Sequence, residues 1–117
     1  MNVKRVNMEE LLSRVEQDRE LLHELLSIFV GEFPVKLEEL RDAMERQDLA
    51  RVMVVSHGLK GMLSNLSIGQ AASCAAQIEQ IARNRQTGSL KEALSALEQE
   101  VHGLLPEIQA HLAEVQR

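Results

Sequence analysis

His57 stands in the run Ser56-His57-Gly58-Leu59-Lys60-Gly61, a stretch that otherwise reads as helix. Each interior glycine costs a helix roughly 1 kcal/mol relative to alanine. Tolerating Gly58 and Gly61 within one turn points to a need for bare backbone beside the imidazole. Lys60, at i+3, lies on the neighbouring surface of the same helix. A histidine with an unperturbed pKa of about 6.5 is largely neutral at physiological pH, which leaves one ring nitrogen free as a nucleophile. An N–P bond formed there is reactive enough to hand its phosphoryl group on. A nearby ammonium offsets part of the charge of roughly −1.5 to −2 that such a group brings, by analogy with phosphorylated hydroxyls. Gly61 lets a partner approach the helix backbone closely. The set is suited to phosphoryl groups that arrive and leave.

The element that must position this histidine runs from Asp48, its N-cap, to about Leu66. On a helical wheel Val52, Val55, Leu59, Met62, Leu63 and Leu66 gather on one side, which is the core face. His57 falls nearly opposite, among Ala50, Met53, Val54, Gly61 and Ser64, with Lys60 at the edge. The imidazole is therefore expected in solvent, on a small and apolar surface fit for docking. Four other helices follow from apolar spacing and caps. A short first helix starts at Asn7 and turns Leu11, Leu12 and Val15 inward. Asp18 caps a long second one, with Leu21, Leu22, Leu25, Leu26, Phe29, Phe33, Leu37, Leu40 and Met44 expected inside and a kink at Pro34. The fourth begins after Ser67 and buries Ile68, Ala71, Ala75, Ile78 and Ala82. Asn84 to Ser89 reads as a loop. The last helix carries Leu94, Leu97, Val101, Leu104, Leu105, Ile108 and Leu112, with Gly103 and Pro106 bending it. Short connections between amphipathic helices imply antiparallel neighbours. The fold class is all-α: an up-down four-helix bundle with an additional short N-terminal helix across one end.

Composition agrees. Apolar residues make up 44% and aromatics 2% of the 117 residues, so aliphatic helix-on-helix packing must supply the core. The length corresponds to a single domain, 1–117. A net charge of −5 argues against nucleic acid as a partner. One cysteine excludes an internal disulfide and fits a cytoplasmic setting. No apolar run approaches the roughly 20 residues that span a bilayer, so no membrane contact is expected. The histidines lack metal-ligand spacing, so no metal site is expected. His23, His102 and His111 read as solvated. Glu79 and Arg83, at i and i+4, read by themselves as a surface ion pair.

His57-Gly58-Leu59-Lys60-Gly61, followed by Asn65-Leu66, resembles the H-x-L-K-G…N-L-G-A signature of histidine-containing phosphotransfer (HPt) domains. Glu10-Leu11-Leu12 through Asp18, then Glu24-Leu25-Leu26 and Phe33-Pro34, are similar to the opening of such domains in hybrid sensor histidine kinases. The resemblance implies a phosphorelay intermediate in two-component signalling. His57 would accept a phosphoryl group from a receiver-domain aspartate and pass it to another receiver. Lys60 would help hold the phosphate, and Gly61, Ser64, Met53 and Val54 would form the docking surface. Glu79 and Arg83 fall where the family often places polar residues near the histidine. The implied partners are response-regulator receiver domains and a sensor histidine kinase. Such a domain is a phosphohistidine carrier, not an enzyme. It has no ATP site and no cofactor of its own, and the receiver supplies the acidic pocket and Mg²⁺. Two alternatives keep the fold: a helical module that binds a receiver without transfer, and the phosphoacceptor domain of a chemotaxis-type kinase. The chain departs from the pattern at Gly58, and at Ser67-Ile68 where Gly-Ala is usual, which bears on the helix-end geometry.

Overall fold

Asparagine and aspartate side chains open the first three helices in the computed structural model of the chain, which describes residues 5–115. Asn7 accepts from the Glu10 N–H to start α1 (Met8–Arg14), and Asp18 from the Leu21 N–H to start α2 (Arg19–Glu45). Asp48 accepts from the Arg51 N–H to start α3 (Leu49–Asn65). Such caps are each worth about 1 kcal/mol. α4 (Gly69–Arg83) starts at Ile68 without a side-chain cap. α5 (Leu90–Val115) follows one 3₁₀ turn at Thr87–Ser89. The expected order of five helices with no strand is therefore observed among the described residues.

The ends of α1 to α4 share one device. At the end of α3 the Ser67 N–H donates to the Ser64 carbonyl and the Ile68 N–H to the Leu63 carbonyl, the Schellman pattern. Equivalent pairs close α1, α2 and α4. This geometry needs a left-handed residue, and Glu16, Gln47, Ser67 and Arg85 supply it with φ of 53°, 58°, 56° and 58°. No glycine has positive φ. The Ser67-Ile68 departure thus preserves the helix end: serine takes the left-handed position, and Ile68 behind it is buried.

The core is aliphatic, with Phe29 and Phe33 stacked at 4.8 Å between ring centroids. Leu22, Leu26, Phe33, Leu37 and Leu40 of α2 share one buried core with Val52, Leu59 and Leu63 of α3, Ile78 of α4, and Leu97, Leu104 and Ile108 of α5. α4 contributes Ala71, Ala75 and Ala82 to this core. Their small side chains let α4 lie closely along α3, the most extensive helix pairing in the molecule. α2 and α5 continue as helices through Pro34 and Pro106, which border one shallow cleft with Leu37, Val101 and Leu105.

Two expectations need correction. Leu21 and Leu25 are not core residues but 40% and 41% exposed. α2 carries a second apolar row beside the buried one, and the two read as a single broad stripe in sequence. His23 and His111 are half-buried, and the His23 Nδ1 is enclosed without a hydrogen-bond partner among the described residues. The Arg5 guanidinium lies against Gly103, where a Cβ would meet it. The Arg5 and Val6 N–H groups donate to the Glu107 carboxylate at 2.9 and 3.2 Å. Arg14 reaches the Ser67 hydroxyl on the far side. These ties draw α1 and the residues before it across the end of the bundle. Among the described residues, no helix is long and apolar enough to cross a membrane.

Candidate functional site

His57 lies midway along α3 with its side chain 67% exposed. The core face beneath it is as the wheel predicts, with Val52, Val55, Leu59 and Leu63 buried and Met62 half-buried. Ser56 is fully enclosed, and its hydroxyl donates to the Val52 carbonyl at 2.6 Å, so its polarity is satisfied within its own helix. The close approach of α4 then brings a carboxylate to the imidazole. Glu79 is 8% exposed, and its Oε2 lies 3.1 Å from the His57 Nδ1. Lys60 Nζ donates to Oε1 at 3.0 Å, and Arg83 Nη2 donates to Oε2 at 3.1 Å. One buried carboxylate thus gathers a histidine and a lysine from α3 and an arginine from its own helix.

Burial alone would raise the Glu79 carboxyl. Hydrogen bonds from Lys60 and His57, and then their charges, outweigh that and hold it below its ordinary value. Glu79 is therefore ionised at neutral pH and can only accept hydrogen bonds. The neutral imidazole must place its hydrogen on Nδ1, which leaves the lone pair on Nε2. With Glu79 at −1 and Lys60 and Arg83 at +1 each, the neutral ring sits in a cluster of net charge about +1. That is a setting for an incoming anion.

Each residue expected at the site can now be placed. Val54 is 71% exposed, Gly61 and Ser64 are exposed, and Met53 is half-buried against the core. An ideal Cβ at Gly58 or Gly61 meets nothing within 4 Å, so neither glycine is required by packing inside the molecule. Glu79 and Arg83 join His57 and Lys60 in one cluster, a closer arrangement than a surface ion pair.

Sequence reading missed the α2 side of this surface. Arg51 of α3 reaches Glu39 of α2 at 3.8 Å, which sets the antiparallel level of the two helices. Val35 and Ile28 share the Glu39 face of α2 and are 59% and 54% exposed. Counting back along α2 and forward along α3 sets Val35 level with Val55, next to Val54, and Ile28 level with Met62, next to Gly61. An apolar band flanks the glycines on that side. The spacing of Leu21, Leu25, Ile28 and Val35, offset from the core stripe, was the available signal.

The family model described as Hpt domain matches residues 24–117, which takes in α2 after its first turn and all of α3 to α5, and leaves out α1. No curated protein and no solved structure matches the chain.

Proposed function

The chain belongs to the Hpt domain family, phosphocarrier modules of two-component phosphorelays, and on that premise we propose that His57 accepts a phosphoryl group from a receiver-domain aspartate and passes it to a second receiver. The observation that carries the reading is the Nδ1–Glu79 hydrogen bond at 3.1 Å, which leaves the Nε2 lone pair on an exposed face. In the forward step Nε2 attacks phosphorus, the N–P bond forms, and the P–O bond to the aspartate breaks with its electrons leaving on the carboxylate. The return step reverses this on the next receiver. The receiver brings the Mg²⁺ and acidic pocket, and this chain brings the nucleophile and a seat.

Lys60, with its side chain 35% exposed, is near enough to the ring to turn its ammonium toward the phosphoryl oxygens. Arg83 adds charge from α4. The seat is formed by Gly58, Gly61, Ser64, Met53 and Val54, extended across α2 by Ile28 and Val35. Glycines cost helix stability and here answer no internal contact, which supports a partner's close approach as their use. The cytoplasm, where receivers and kinases work, is the proposed location.

The test is incubation with a phosphorylated receiver domain, followed by the mass of this chain with and without His57→Gln. Gain of one acid-labile phosphoryl group, absent in the variant, is expected. Receiver binding without transfer would replace the proposal with a non-transferring module. Labelling only by a kinase core with ATP would replace it with the chemotaxis-type role.

A further inference from the structure

The Nδ1–Glu79 contact has a second consequence after the phosphoryl group has arrived. The point rests on His57 as the phosphoacceptor. When the Nε2 lone pair forms the N–P bond, the ring gains no proton and loses none, so Nδ1 still carries its hydrogen and the ring becomes a cation. In open water that ring is free to shed the Nδ1 proton and become neutral. Here, shedding it would set a bare nitrogen lone pair against the ionised Oε2 of Glu79 at 3.1 Å. We propose that Glu79 retains the Nδ1 proton on the phosphorylated ring, so that the carrier holds its cargo as a phospho-imidazolium and Glu79 sets how long that cargo lasts.

The return step shows why the proton matters. The N–P bond breaks with its electron pair returning to Nε2. From the protonated ring the departing group is a neutral imidazole, whereas from the deprotonated ring it is an imidazolate anion, a far poorer leaving group. The same proton therefore rides through arrival and departure, and neither direction needs a proton from solvent. The same arrangement leaves the phosphoryl group open to water, so a good donor is also a short-lived store. Among the described residues, the charged groups at this carboxylate are Lys60 from α3 and Glu79 and Arg83 from α4. The cations oppose a positive ring and Glu79 favours it. Direct hydrogen bonding at Nδ1 gives the carboxylate the deciding position.

Glu79 acts through the imidazole and is thus a positioning residue. Glu79→Gln keeps its shape but offers Nδ1 an amide N–H to accept, which favours the deprotonated ring. Both proteins are charged at His57 with phosphoramidate, which bypasses any receiver. The pH at which the phosphorylated ring loses its proton is then followed by ³¹P and ¹⁵N NMR, alongside the phosphohistidine half-life at alkaline pH. The midpoint in the wild type should lie at least one pH unit above that of Glu79→Gln, and its half-life should be several-fold shorter. Lys60→Met should move the midpoint upward, opposite to the glutamine change, which a loosened fold would not do.

Coincident midpoints in wild type and Glu79→Gln would overturn the proposal. Should the variant fail to fold, the wild type alone decides: Nδ1 bearing hydrogen on the phosphorylated ring at mildly alkaline pH supports it, and a bare Nδ1 refutes it. Wild type labelled by phosphoramidate but by no receiver removes the relay reading and leaves this titration to be read on its own terms. No labelling at His57 by phosphoramidate removes both.

Discussion

Replacing Gly58 and Gly61 by alanine should make the molecule more stable and worse at its task. Both glycines lie inside α3, neither has positive φ, and an ideal Cβ at either meets nothing within 4 Å. No strain and no collision oppose the change, so the helix propensity difference acts alone, at roughly 1 kcal/mol per site. The double variant should gain about 2 kcal/mol, which for a domain of this size raises Tm by roughly 6–12 °C. Thermal and urea unfolding followed by circular dichroism at 222 nm would measure it. Gly31→Ala in α2, equally unobstructed, supplies the matched single-site reference. Phosphoryl acceptance from a receiver should fall at least tenfold, because two methyls would stand where the partner's backbone approaches. Loss of stability in the double variant would refute the reasoning, since the glycines would then serve the fold. Gain of stability with unchanged transfer would place docking elsewhere.

Three further outcomes follow from the packing and the charges. Ala75→Leu forces a large side chain into the core beneath α4, where Ala75 is fully buried, and should cost about 1–3 kcal/mol by urea denaturation. Ser56→Ala should change stability by less than about 0.5 kcal/mol and leave transfer intact, because the hydroxyl bonds only to carbonyls of its own helix; a marked loss of transfer would give Ser56 a part in the chemistry. The Glu79 carboxyl is held below its ordinary value, so its contribution to stability is present above about pH 4.3 and is lost as pH falls through the lowered folded value. The gap in urea midpoint between wild type and Glu79→Gln should therefore narrow on acidification, and a gap that persists in strong acid would contradict it.

The bundle was legible because each helix declares itself locally. Asn7, Asp18 and Asp48 mark starts, and the core rows recur at the helical period. The exposure of His57 and the position of Lys60 follow from one helix alone, and both could be read. Glu79 is different. That its carboxylate closes on His57 depends on how α4 is rotated and how far it slides along α3, and the side chains of two helices settle this together. Leu21 and Leu25 were misplaced for a related reason. Their row adjoins the buried one, and which edge of a wide apolar arc faces inward is decided by the neighbours. The end of α3 was read at about Leu66, but Ser67 gave no sign that it closes that end in a left-handed conformation, because the usual signal for such a residue is glycine.

Those left-handed turns mark where the scaffold can change without touching its surface of exchange. Gln47 and Arg85 each hold a β-carbon in a conformation that costs L-residues about 1–2 kcal/mol. Glycine would relieve that, and its greater freedom in the unfolded chain would take back roughly 0.4–1 kcal/mol. A lineage adapting to heat could harden its joints at such turns while the histidine face stayed as it is. Tolerance of temperature and choice of partner would then evolve along separate tracks, one written in the turns and the other on the open side of α3.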